Sequence, residues 1–90
     1  MRYQIRYLPG AEKDLRRLPG AVAQRARRGI ERLADDPRAG KPLVSELVPF
    51  WSYRVGDYRI VYEIRQKEIV VLIVMVGNRR DVYEKARRRR

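Results

Sequence analysis

Residues 51–83 read WSYRVGDYRIVYEIRQKEIVVLIVMVGNRRDVY. This stretch decides the fold. Trp51–Val55 and Tyr58–Arg65 alternate like strands, and Gly56-Asp57 between them has the composition of a tight hairpin turn. Ile69–Val76 is apolar on both strand faces, as expected of an interior strand covered from both sides. Gln66-Lys67 is too short a connection for a crossover, so the three strands form an antiparallel meander. Gly77 is read as the end of the last strand.

Working outward, Arg2–Leu8 alternates Tyr3, Ile5 and Tyr7 against Arg2, Gln4 and Arg6, which predicts a half-buried strand. Pro9-Gly10 breaks it. Leu8, Ala11, Leu15 and Leu18 then form one helix face. Val22, Ala26, Ile30, Leu33 and Ala34 form a second, ending at Asp35-Asp36-Pro37. Leu43–Val48 alternates and is assigned a short strand, with Pro49 confining it near an edge. Arg79–Arg90 has weak helical character and ends in four arginines expected to fray. The predicted class is α+β, in the order β-α-α-β-β-β-β with a short C-terminal helix. A helical hairpin packs on one face of a twisted, mainly antiparallel sheet. The chain reads as a single domain over residues 1–90.

Composition narrows the chemistry. The chain has no cysteine and no histidine. That removes thiolate metal sites and the usual neutral-pH acid/base group. No carboxylate cluster points to a metal, and no cofactor is expected. No run approaches the roughly 18 apolar residues of a membrane span, and the N-terminus lacks the apolar core of a signal peptide. A cytoplasmic protein is expected. The net charge is +11, and only four of the twenty-two basic residues are lysines. Guanidinium offers a planar fork of donors matched to phosphate, so the bias points to nucleic acid or an acidic protein partner.

Strand parity gives these charges an address. Ile60, Tyr62 and Ile64 face the core, so Arg59, Val61 and Glu63 face the other way. Ser52 and Arg54 share a face on the neighbouring strand, and the turn brings Arg54 close to Arg59. Arg79, Arg80 and Tyr83 arrive from the end of Ile69–Val76. Guanidiniums do not gather for stability, and a phosphate is the ordinary reason for such a group. Glu63 is the one acid expected among them.

The pieces YRVGDYRIVYEI and VGNRRDVY resemble the signature of the RelE/ParE superfamily of toxins from type II toxin–antitoxin systems. The LRRLP and IERLADDP segments and the GKPL…L…W run add to the resemblance, which covers nearly the whole chain and is nearer the RelE branch. The resemblance implies a RelE-like fold. It also implies an endoribonuclease (mRNA interferase) that cuts messenger RNA in the ribosomal A site by metal-independent 2′-OH attack. A cognate antitoxin, acidic or helical and covering the basic face, would neutralise it in a toxin–antitoxin hetero-oligomer.

Carried over by position, Arg59 matches the arginine at the scissile phosphate. Arg79 matches the arginine after the strand's glycine, and Tyr83 the C-terminal tyrosine. Arg54 lies near a lysine of the RelE branch. Lys41 and Arg80 are further RNA contacts. Two departures matter: Ser52 stands near a second lysine of RelE, and Asn78 where many relatives have His or Lys. Arginine stays protonated and is a poor base. Neighbouring positive charge favours a phenolate, so Tyr83 is expected to be the general base or to orient the 2′-OH. Arg54 would act as an auxiliary cation. The alternatives are a ParE-like, non-catalytic inhibitor of DNA gyrase, or a degenerate toxin that binds antitoxin without cutting RNA.

Overall fold

A computed structural model of the chain describes residues 1–89, except the side chains of Arg79 and Arg89. The elements run β1 (Gln4–Tyr7), α1 (Pro9–Arg17), α2 (Gly20–Asp35), β2 (Lys41–Pro42), β3 (Phe50–Val55), β4 (Tyr58–Arg65), β5 (Val70–Asn78) and α3 (Arg79–Arg89). The strands form one sheet in the order β1-β5-β4-β3-β2. All neighbours are antiparallel except β1 and β5, which are parallel. Among the described residues no helix is long and apolar enough to cross a membrane.

Local chemistry sets the helix ends. Pro9 opens α1, where a missing N–H costs nothing. Leu18 precedes Pro19 and is extended, which stops α1 and lets α2 start at Gly20. Both helices lie on one face of the sheet. Ala11, Leu15, Ala26, Ile30 and Leu33 pack there with Val55, Ile60, Tyr62, Val71, Ile73 and Val76. The expected helix stripe holds, except that Ala23 is buried where Val22 was expected. β1 covers β5 only as far as Ile73. Beyond it, the Val76 N–H donates to Asp14 Oδ2 of α1 at 3.1 Å, so a helix side chain continues where the neighbouring strand stops.

The second cover that β5 requires is α3. Val82 and Ala86 pack on Phe50, Val61, Val74 and Met75 on the opposite face. Consecutive residues Val74 and Met75 both reach this layer because β5 carries a bulge. Val61 pairs with Met75 and Tyr62 with Ile73, leaving Val74 as the extra residue. The bulge reverses parity for the end of β5 and sets Gly77 beside Arg59.

Two boundaries differ from the sequence reading. Leu43–Val48 is not a strand. The edge strand is the shorter β2, and Ser45–Leu47 is a 3-10 turn with Ser45 at φ +56°. The alternation there is misleading, because Val44 and Val48 are 74% and 52% exposed. Leu43 and Leu47 instead both turn in beneath α3. Gly77 also does not end β5, which runs through it to Asn78. At the hairpin turn only Gly56 takes positive φ, +59°, so this is the type II′ pattern with glycine first and Asp57 in an ordinary conformation. The C-terminal arginines remain helical to Arg89 where fraying was expected, Arg87 pairs with Glu46 at 2.9 Å, and Arg90 lies outside the described residues.

α2 approaches β3 most closely at Gly29, where an added Cβ would stand 2.7 Å from Tyr53 Cε2. Overpacking of this kind costs about 1–3 kcal/mol, against a helix-propensity gain of about 1 kcal/mol for alanine. Gly29→Ala is therefore expected to lower stability by up to about 2 kcal/mol in urea unfolding, opposite in sign to the usual Gly→Ala change in a helix.

Candidate functional site

The site is built on the α3 face, where β3, β4 and β5 converge at the hairpin end. Arg54 of β3 lies directly opposite Arg59 of β4, and Arg59 lies opposite Gly77 of β5. Gly77 has no side chain, which leaves space beside Arg59 next to α3. Like charges directly across a strand pair are destabilising, so two arginines in register are retained against fold stability. Arg54 is held by a 3.0 Å hydrogen bond from its Nε to the Gly56 carbonyl of the turn.

Two clefts open on either side of this pair. The larger, about 510 Å3, is lined by Gly40, Lys41, Ser52, Arg54, Arg59 and Tyr83 among others, and no acidic residue lines it. The smaller, about 300 Å3, has Arg54, Arg59, Arg80, Asn78, Gly56 and Asp57 around it. Arg59 is common to both. Its Nε is buried and is the one buried side-chain nitrogen or oxygen without a hydrogen-bond partner among the described residues. A buried guanidinium donor without an acceptor is unusual for a folded chain and singles out Arg59 among the residues of the two clefts.

Tyr83 enters from the first turns of α3. Its ring packs on the layer formed by Val61, Val74 and Val82, and its hydroxyl donates to Ser52 Oγ at 3.4 Å. Ser52 is a buried polar side chain beside the core. Sequence reasoning counted Ser52 as a missing lysine, whereas here it orients the phenol. The signal available was strand parity, which put Ser52 and Arg54 on one face. The contact with Tyr83 spans 31 positions and is not local.

Asn78 has a structural task. Its Oδ1 accepts from the Asp81 N–H at 3.2 Å and so caps α3. The acid expected in the site is also another one. Glu63 binds Arg65 at 2.6 Å in a separate groove, and Asp57 lines the smaller cleft instead.

Of the six nominated residues, Arg54, Arg59, Lys41 and Tyr83 meet in the larger cleft, and Arg80 joins Arg54 and Arg59 in the smaller. Arg79 is the first residue of α3, and its side chain lies outside the described residues. Behind the cleft, Tyr62 fixes the wall. Its hydroxyl donates to the Pro37 carbonyl at 2.6 Å and accepts from the Gly40 N–H at 3.2 Å. Gly40 is pressed against β3, since a Cβ there would lie 2.5 Å from the Ser52 carbonyl oxygen. Only glycine fits, and this places Lys41 at the cleft mouth.

A cleft lined by arginines, a lysine and the phenols of Tyr53 and Tyr83, without an acid, lies on a five-stranded sheet between two helical layers. The family model described as ParE toxin of type II toxin–antitoxin system, parDE, matches residues 5–83. The chain belongs to this RelE/ParE family of toxins. Among its relatives is Toxin RelG of Mycobacterium tuberculosis, 36% identical over 89 residues, covering 94% of this chain and 100% of that protein. Toxin RelE of the same organism is 35% identical over 83 residues, covering 90% of this chain and 86% of that protein. Of solved structures, the toxin–antitoxin complex RelBE2 from M. tuberculosis holds a similar chain, with a TM-score of 0.78 at 34% identity over 88% of this chain and 100% of that one. A mutant of the Escherichia coli toxin RelE in the free state has a TM-score of 0.82 at 24% identity over 99% of this chain and 98% of that one, a likeness of fold.

Proposed function

We propose that this toxin is a ribosome-dependent endoribonuclease of the cytoplasm that cuts messenger RNA in the A site. The observation that carries this is the buried, unpartnered Nε of Arg59 in a cleft shared with Arg54, Lys41 and Tyr83. The relatives named RelG and RelE support the same reading.

In this reading the ribose 2′-oxygen attacks the adjacent phosphorus and the bond from phosphorus to the 5′-oxygen breaks. A 2′,3′-cyclic phosphate and a 5′-hydroxyl result. Tyr83 takes the 2′-OH proton, or orients that hydroxyl, with Ser52 setting the angle of the phenol. Arg59 meets the charge that develops on the phosphorane, where fixed donors act most strongly. Arg54 is an auxiliary cation beside the leaving oxygen, which takes its proton from water, and Arg79 adds charge from the start of α3. Lys41 and Arg80 hold flanking phosphates.

Tyr83→Phe tests the proton-transfer role while keeping the ring that packs beneath α3. A general acid/base group contributes about 10²–10⁴-fold. Single-turnover cleavage on programmed ribosomes is expected to fall within that range, with ribosome binding retained. Unchanged cleavage would remove Tyr83 from the mechanism.

A cognate antitoxin is the second partner. The RelBE2, E. coli RelBE and archaeal RelE–RelB structures are toxin–antitoxin complexes, and an acidic or helical antitoxin complements the basic face. Co-purification with the product of an adjacent reading frame checks this.

The match to a ParE family model favours one other reading, a non-catalytic inhibitor of DNA gyrase. The arginines would then bind protein or DNA. Relaxed plasmid and intact messenger RNA after induction would select it.

A further inference from the structure

A third cleft, of about 340 Å3, lies on the helix side of the β3 edge and takes no part in the site above. Arg25, Arg28 and Arg32 of α2 form one wall, Tyr53 and Arg54 the other. The three helix residues are spaced three and four apart, so they stand in a row with roughly 5–6 Å between neighbours. All three are exposed, and none forms an ion pair among the described residues.

The row is not an ordinary mixed-charge helix face. α2 carries two acids at this level, Glu31 and Asp35, and both bind Arg2 on the β1 side of the helix. The acidic charge of α2 is therefore drawn to one side, and the arginines are left uncompensated on the other. β2 pairs only with Trp51 and Ser52, so Tyr53–Val55 form an open sheet edge beneath this row. Arg54 stands at that edge and lines all three basic clefts. Arg25 closes the line, since its Nη1 would lie 3.4 Å from a Cβ on Gly56 in the hairpin turn.

We propose that the Arg25-Arg28-Arg32 row is a second phosphate track, which seats the backbone of a double-stranded RNA segment while the α3-side clefts hold the strand to be cut. Uncompensated guanidiniums in a row, with Arg54 shared between the two surfaces, match a ligand that presents regularly spaced phosphates. The proposal rests on the ribonuclease reading for what occupies the α3 side, but not for its own RNA binding.

The test is fluorescence anisotropy of the full chain with a short labelled RNA duplex over a salt series. Arg25→Ala, Arg28→Ala and Arg32→Ala together are expected to weaken duplex binding about tenfold or more at low salt. They should lower the slope of log K against log salt by about 2–3. Circular dichroism should remain that of the wild type, as the three side chains are exposed. The matching triple lysine variant should keep most of the slope. Duplex binding is read without ribosomes, so failure of the ribonuclease reading is seen separately, as intact reporter message on induction of the wild-type chain. The proposal is overturned if the triple alanine variant keeps the wild-type salt slope. It is equally overturned if that variant loses affinity only for an acidic antitoxin peptide, which would make the row a protein-binding surface.

Discussion

Arg59→Ala is expected to relieve growth arrest on induction and to reduce A-site cleavage by about 10²–10³-fold, the usual loss when one preorganised donor to developing charge is removed. The residue stands between Arg54 and Gly77 in the sheet, on a face closed by α3. Its Nε is buried and has no acceptor among the described residues. For fold stability the change should be neutral or favourable, because it removes a repulsion with Arg54 and an unsatisfied donor. Loss of activity with an unchanged or raised melting temperature is thus the predicted pair of results. Arg59→Lys would keep the charge without the fork of donors, and should recover only part of the rate. A variant that loses both activity and stability would place Arg59 among structural residues.

Tyr62→Phe should produce the largest stability loss of any single-atom deletion in the chain. Tyr62 is 0% exposed. One hydroxyl oxygen satisfies both the Pro37 carbonyl and the Gly40 N–H. Removing it leaves a buried acceptor and a part-buried donor without partners, at about 1–3 kcal/mol for each fully buried group. A loss of about 2–4 kcal/mol is expected, and each kcal/mol lowers the melting temperature of a domain this size by about 4–8 °C. Because Gly40 positions Lys41 at the cleft mouth, activity should fall even where the variant is folded.

The same residue sets the alkaline limit. Burial, reinforced by the Asp36 charge and partly opposed by the Gly40 N–H, pushes the Tyr62 phenol from 10.0 up to about 12. Folding favours the protonated form, so that contribution is complete below pH 10 and is lost as pH rises from 10 towards 12. In a spectrophotometric titration Tyr62 should ionise late, together with unfolding, and Tyr7, also raised by burial, should ionise above the ordinary phenol range. Tyr62→Phe should remove this late step.

Much of this architecture was legible because local chemistry and global fold agree. The Trp51–Arg65 hairpin follows from alternation around Gly56-Asp57, and the helix ends follow from Pro19 and Pro37. The two-sided burial of β5 was visible in its unbroken apolar run, and α3 supplies the second cover. The errors fall where two periods coincide. Leu43 and Leu47 are four apart, which a strand and a turn both allow, and only packing beneath α3 decides between them. The Val74 bulge was invisible because residues on both faces of β5 are apolar, so parity carries no signal there.

For the candidate site, parity alone placed Arg54, Arg59 and Ser52 on one face. It did not show that Ser52 receives the Tyr83 hydroxyl, or that Asn78 is committed to capping α3. Both depend on where a helix distant in sequence lands. The parallel pairing of β1 with β5 is non-local in the same way. Glu63 was placed by parity in the right layer, but Arg65 holds it in a different groove.

Induction of the toxin followed by primer extension on a reporter message separates ribonuclease from gyrase inhibitor. A ribosome-dependent ribonuclease leaves cuts within codons that vanish when translation of the reporter is blocked and that are absent with Arg59→Ala. Intact message together with relaxed plasmid DNA would contradict the ribonuclease reading.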